Sequence, residues 1–261
     1  MLFFSHGNGF CGRVYQPMLK LLVEKHDLLM IDIPGHGNSP ASDFVGWNQT
    51  AEYLWQAIQA SGEIIANREL YAVGHSLGGM LSMLLASEHP DTFKSMVLLD
   101  PVIFPGSLLF TMRIVSKLGL TSTFHPFIKP TLRRRNGWSD RQEAFDYFHN
   151  RKIFKNWTDD SLDSYVRYAL KETESELRLS CDPELEAKWF STLPDNLWPS
   201  VKKLSVPVKM IMGQSSYPFS LRAARYAARI NPSVEYSIVP GGHCFMQEYP
   251  QDAAGYVLNA H

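Results

Sequence analysis

Apolar positions along the chain fall into two alternating kinds of run. Short apolar stretches at Leu2–Ser5, Leu28–Ile33, Leu70–Val73 and Ser95–Leu99 have the length of buried strands. Longer runs with helical spacing lie between them. Tyr15–Glu24 reads as a helix with Pro17 near its first turn, and Ala51, Leu54, Trp55 and Ile58 recur on one helical face. Met80 to Glu88 is apolar nearly all round, which predicts a buried helix that Pro90 stops. Strands alternating with helices imply right-handed crossovers and a mostly parallel sheet.

The pattern changes at Pro101. From Val102 to about Leu204 helix signals dominate, and no strand stands out. Ser139-Asp140-Arg141-Gln142 predicts a capping box, and Asp182-Pro183 predicts an N-cap followed by proline at the first helical position. Alternation returns at Val206–Met212, Ser220–Ile230, Val234–Val239 and Glu248–Asn259. Residues 1–101 and 205–261 are therefore expected to form one α/β core, with 102–204 as a helical insertion.

Composition narrows this only a little. The chain has 261 residues and is 45% hydrophobic, enough for a sizeable core. A formal net charge of −1 gives no reason to expect a nucleic-acid partner or a membrane-surface field. Cys11, Cys181 and Cys244 are odd in number and far apart, with neither a disulfide framework nor zinc spacing. A reducing, cytoplasmic setting is the expectation. No apolar run approaches the roughly 18 residues of a membrane span. Met1-Leu2-Phe3-Phe4 runs straight into Ser5-His6-Gly7 without a basic region, so it reads as a strand and not as a secretory leader.

The candidate chemistry centres on Gly74-His75-Ser76-Leu77-Gly78-Gly79, between the apolar run at Leu70–Val73 and the helix from Met80. This is G-x-S-x-G in a strand–turn–helix context. A serine on a sharp, strained turn exposes its hydroxyl above the sheet, and small flanking residues let strand and helix approach. The backbone N–H of Leu77 then points from a helix start toward developing negative charge. Ser76 is the candidate nucleophile, and it needs a base. His243 follows Gly241-Gly242 after the last strand, and its imidazole can take the serine proton and return it to a leaving group. His6, His36 and His75 lack metal-ligand spacing, so no metal is expected, and no organic cofactor is implied. Cys244 beside His243 is expected to be a small buried residue.

Taken in chain order, Ser5-His6-Gly7-Asn8-Gly9, Asp32-Ile33-Pro34-Gly35-His36-Gly37-Asn38-Ser39, the serine turn, Leu99-Asp100-Pro101 and Gly241-Gly242-His243 resemble the α/β-hydrolase superfamily with a helical cap. The resemblance implies a mostly parallel sheet with helices on both faces and a cap over residues 102–204. It implies a serine hydrolase acting on a small-molecule ester, and it places the second oxyanion donor at the backbone N–H of Asn8. A serine at the elbow speaks against epoxide hydrolase and haloalkane dehalogenase activity, since relatives with those activities use aspartate there.

The chain departs from the family pattern twice. Family members usually carry a strand hairpin ahead of the His-Gly segment, and here Met1-Leu2 has none before it. Either the sheet is shortened on that side or the start is placed late. Many relatives also carry the triad acid after the strand at Val206–Met212, where this chain has Gly213-Gln214-Ser215-Ser216-Tyr217. Asp100 is the expected acid instead, because Leu99-Asp100-Pro101 resembles a lipase arrangement with the acid after the preceding strand. Gln214 or Ser216 as a neutral partner of His243, and Glu248, are the other candidates. Arg133-Arg134-Arg135 reads either as a solvated face or as a clamp for an anionic group. Cap aromatics such as Phe110, Phe124, Phe127, Trp138, Phe148 and Trp157 read mainly as cap core, a few of them also lining a pocket. The expected reaction is hydrolysis of carboxylic esters of small to medium acyl groups through an acyl-enzyme. Thioesterase, lactonase, C–C bond hydrolase and aminopeptidase chemistry are alternatives, as is a binding module with a degraded site.

Overall fold

The structure is a computed structural model that describes residues 1–40 and 43–260, without the side chain of Phe124. Its strands in chain order are β1 (Leu2–Ser5), β2 (Leu28–Met30), β3 (Tyr71–His75), β4 (Met96–Leu99), β5 (Leu170–Glu172), β6 (Leu177–Leu179), β7 (Val208–Gly213) and β8 (Val234–Val239). Six of them form one parallel sheet in the order β2-β1-β3-β4-β7-β8.

Side chains alternate across that sheet. Phe4, Val73, Val97, Leu99 and Ile211 pack on one face with Met18, Leu22 and Phe245. Phe3, Ala72, Met96, Leu98 and Met210 pack on the other with Leu54, Leu84 and Ala224. Both faces are buried at the centre of the sheet, so β4 is apolar at every position, as a parallel strand between helical layers must be, whereas the edge strands β2 and β8 carry exposed positions. The helix Leu77–Glu88 is buried from Leu77 through Ser87. β2 stops at Met30, short of the expected Ile33, because the Ile33 N–H donates to His6 Nε2 at 2.9 Å and leaves the ladder.

Close approach decides one glycine. A Cβ on Gly78 would lie 2.2 Å from the carbonyl oxygen of Ser5. Gly78→Ala is expected to destabilise the protein by about 3 kcal/mol, because two backbones would have to separate. A thermal melt checks this, and an unchanged midpoint contradicts it.

The segment between β4 and β7 is mostly helical, with helices at Gly106–Lys117, Arg141–His149, Asp159–Tyr168 and Pro183–Ser191 among others. It also holds the antiparallel hairpin β5–β6, which the sequence pattern missed. Leu177 further exchanges both backbone hydrogen bonds with Trp138. Three-residue strands are too short to show a period against helical neighbours. The helix from Arg141 starts one residue later than the sequence box implies. Asp140 is the N-cap and takes the Glu143 N–H at 2.8 Å, and the Glu143 carboxylate reaches back to the Ser139 N–H at 2.7 Å. Asp182 caps the helix Pro183–Ser191 as expected, accepting from the Glu184 N–H at 2.7 Å with Pro183 following. Trp138, Phe148 and Trp157 join the core that runs beneath the insertion, whereas Phe110 is exposed.

Candidate active site

β3 delivers His75 to the sheet edge, and the chain then turns sharply. Ser76 has φ 51° and ψ −113°, a conformation glycine tolerates and other residues resist. A Cβ on Gly74 would lie 2.8 Å from the Cα of Gly79, so the turn closes only with glycine there. Asp100, at the end of neighbouring β4, also has a positive φ of 45°. Both strained residues are held by neighbours. The Ser76 N–H donates to the Leu99 carbonyl at 3.2 Å, and the Asp100 N–H donates to the Ile211 carbonyl at 2.7 Å. Backbone strain of about 1–3 kcal/mol at such residues persists only where the surroundings over-determine it.

His243 arrives on the loop after β8. Gly241 in that loop has φ 105°, and the Gly242 N–H donates to the Glu248 carboxylate at 3.1 Å. Glu248 therefore supports the loop and does not touch His243. It ends a short helix, Phe245–Glu248, and the last helix starts afterwards at Pro250. The imidazole bridges the two strained residues. His243 Nε2 is 2.9 Å from Ser76 Oγ, and His243 Nδ1 is 2.9 Å from Asp100 Oδ1.

The fully buried Asp100 carboxylate is ringed by donors. Ser216 Oγ–H donates to Oδ1 at 2.5 Å, and the Gly213 N–H donates to Oδ2 at 2.6 Å. An ionised carboxylate is acceptor-only, so His243 Nδ1 must be the protonated nitrogen and Nε2 the acceptor facing Ser76. The segment after β7 thus carries no acid of its own but supplies two donors to an acid from β4. Ser216 contributes by holding Asp100 and not by orienting His243 directly. A carboxylate therefore stands beside His243 although the segment after β7 carries none.

Two backbone donors face the same region. Gly7 to Phe10 forms a tight turn, with the Phe10 N–H on the Gly7 carbonyl at 3.2 Å and Gly9 at φ 75°, the pattern of a type II turn. Asn8 sits at its first central position, and Leu77 opens the helix after the elbow. Among the described residues neither backbone N–H meets an acceptor. The Asn8 side chain is engaged elsewhere. Its Nδ2 donates to the Glu186 carbonyl at 3.1 Å, and its Oδ1 lies 3.2 Å from His36 Nε2.

A buried relay ties these loops together, and the sequence did not reveal it. The Gly7 N–H donates to Tyr15 Oη at 3.0 Å, Tyr15 O–H to His75 Nδ1 at 2.6 Å, and His75 Nε2–H to the His243 carbonyl at 3.0 Å. Burial, with His243 close by, holds the His75 imidazole well below its ordinary pKa, so it is neutral and can serve as acceptor and donor at once. Tyr15→Phe would leave the Gly7 N–H and His75 Nδ1 without partners. It is expected to cost about 1–3 kcal/mol of stability. Urea unfolding measures this, and an unshifted midpoint at unchanged slope removes the relay from the stability account.

His6 and His36 are structural. His6 Nδ1–H donates to the Gly7 carbonyl at 2.8 Å while Nε2 accepts from Ile33. Burial, with His6 adjacent, takes His36 down to a pKa of about 3. Among the described residues no three His, Cys, Asp or Glu side chains are grouped to hold a metal ion. Cys244 is buried, and its thiol is pushed up by burial, then by Asp100. Arg134 pairs with Glu186, and Arg135 pairs with Glu143 and lies over the Trp138 ring. Neither they nor Arg133 line the pocket, which leaves the clamp reading without support.

A cavity of about 490 Å³ opens over Ser76, within the usual range of ligand pockets. Its floor is the core loops carrying Asn8, Ser76, Leu77 and His243, and its walls come largely from the insertion, Phe127 included.

Residues 2–255 match the model of the alpha/beta hydrolase family. The chain belongs to that family. This hydrolase is 25% identical over 252 residues to the 2-(acetamidomethylene)succinate hydrolase of Mesorhizobium japonicum, a match covering 95% of this chain and 82% of that protein. It is 32% identical over 108 residues to the monoglyceride lipase of Rattus norvegicus, covering 40% of this chain and only 35% of the lipase. A type I acyl-CoA thioesterase of Penicillium roqueforti is 25% identical, covering 85% of this chain and 47% of that enzyme. In fold, the hydrolase superposes on a solved E-2-(acetamidomethylene)succinate hydrolase with a TM-score of 0.76 and 22% identity, over 99% of this chain and 90% of that one. No helix among the described residues is long and apolar enough to cross a membrane.

Proposed function

We propose that this hydrolase cleaves carboxylic esters of small to medium acyl groups through an acyl-enzyme on Ser76. The observation that carries this reading is the unbroken chain of contacts from Ser76 Oγ to His243 Nε2 and from His243 Nδ1 to Asp100, 2.9 Å at each step. Ser76 Oγ attacks the ester carbonyl while its proton passes to His243 Nε2. The carbonyl oxygen takes up negative charge, and the N–H groups of Leu77 and Asn8 receive it. His243 then protonates the departing alkoxide. Water, deprotonated by the same nitrogen, attacks the acyl carbon and releases the acid and free Ser76. Asp100 holds the tautomer and stabilises the imidazolium throughout.

A monoglyceride lipase among the relatives supports ester chemistry. A second reading, thioester hydrolysis, draws on the thioesterase relative. The three buried free thiols fit a cytoplasmic setting. A series of p-nitrophenyl esters tests the main reading. A burst of p-nitrophenolate near one equivalent and an acyl adduct on the Ser76 peptide are expected. The acyl-CoA of the best acyl group, run beside its ester, separates the two readings. Folded protein that turns over neither ester nor thioester and forms no adduct rules out both.

A further inference from the structure

Among the described residues the lining of the cavity over Ser76 contains no Asp, Glu, Lys or Arg. Most of the wall facing the serine is apolar, with Leu108, Met112, Val115, Phe127, Phe190 and Phe219 prominent. The polar wall groups are mostly satisfied within the protein. Thr111 Oγ1–H donates to the Ser107 carbonyl at 3.0 Å. Thr192 Oγ1 donates to the Lys188 carbonyl at 3.0 Å and accepts from Trp47 Nε1 at 3.1 Å. His125 Nδ1 accepts the Phe127 N–H at 3.3 Å, and its ring stacks against Phe190. Burial lowers the His125 pKa, so it supplies no fixed cation. Trp189 Nε1 and the Thr121 and Tyr217 hydroxyls have no hydrogen-bond partner among the described residues, but these donors are neutral and bring no charge to balance a carboxylate. The nearest cations on the same helix wall, Arg113 and Lys117, line a separate outer groove that shares only Met112, Thr121 and Thr192 with the cavity.

We infer that the acyl group this hydrolase accepts is uncharged and apolar, and that the cavity rejects acyl groups ending in a carboxylate. The inference rests on the ester-hydrolase reading and names its substrate class. The physical ground is desolvation. A carboxylate carried into this cavity loses its water and meets no cation, only neutral donors in a mainly apolar lining, whereas an alkyl or aryl chain gains burial. The discrimination comes from a missing partner and not from a clash, so it applies to charge and not to size.

Three esters with one leaving group test this: p-nitrophenyl heptanoate, the p-nitrophenyl monoester of adipic acid, and the methyl ester of that monoester. The first and third are expected to react with similar kcat/KM, and the charged monoester about 100-fold more slowly. Met112→Arg, which adds a cation to the wall, is expected to narrow that ratio at least fivefold, with the thermal melt confirming a folded variant. A heptanoate-to-monoester ratio under ten, with turnover lost in Ser76→Ala, overturns the inference and leaves the ester reading standing. An unchanged ratio in folded Met112→Arg also overturns it. No turnover of any of the three overturns the ester reading, and the inference falls with it.

Discussion

Ser76→Ala is expected to lower kcat for p-nitrophenyl esters by about 10⁵-fold while leaving the fold intact. Nothing beside the serine can replace it. Ser216 Oγ is committed to Asp100, and the Cys244 thiol is buried and hard to ionise. The oxyanion donors and the cavity survive the substitution, so a small residual rate over water is expected from binding and charge stabilisation alone. Alanine keeps the strained backbone at φ 51° but adds no bulk, so the melting curve is expected to stay close to that of the parent. The measurements are kcat and the intact mass after incubation with ester. An active, acylated alanine variant would place the nucleophile elsewhere.

Asp100→Asn is expected to cost about 10³ to 10⁴ in kcat with little change in KM. All three neighbours of this carboxylate are donors: His243 Nδ1–H, Ser216 O–H and the Gly213 N–H. An amide cannot accept from all of them. Turned one way, its NH₂ faces the Gly213 N–H. Turned the other way, it faces His243 and favours the tautomer with the proton on Nε2, which cannot accept from Ser76. The first choice leaves a buried donor opposed to a donor, and the second leaves Ser76 without a base. Steady-state kinetics measures the loss, and a variant within tenfold of the parent would remove Asp100 from the mechanism.

The parts of this molecule legible from its sequence are those carried by local physics. Leu2–Ser5 and Met96–Leu99 are continuous apolar runs because both sheet faces are covered. The elbow announces itself because Gly74, Ser76 and Gly78 each meet a separate steric demand within five residues. Asp100 could be picked out because it ends the strand beside the serine strand. What supports it, Ser216 and Gly213, lies more than a hundred residues away and leaves no local pattern. Tyr15 is silent for the same reason: its hydroxyl serves Gly7 and His75, and nothing in its neighbourhood marks it as more than core. The β5–β6 hairpin escaped because each strand shows only three residues of pattern. Most of the pocket wall lies on helices between β4 and β7 whose inner and outer faces both carry apolar residues, so burial there could not be read from periodicity.

The three contacting side chains Ser76, Asp100 and His243 all come from segments flanking the insertion, while most of the cavity wall comes from the insertion itself. Under the proposed mechanism, bond-making and most of the substrate contact fall to different stretches of the chain. A designer, or a lineage after gene duplication, can rewrite the wall without retuning the proton path. Several hydrogen bonds join the two stretches, and one of them reaches the Gly7–Phe10 turn: Glu186, on the helix Pro183–Ser191, accepts from the Asn8 side chain through its carbonyl and sets its carboxylate against Gly9. That helix would therefore have to be inherited together with the loop it holds.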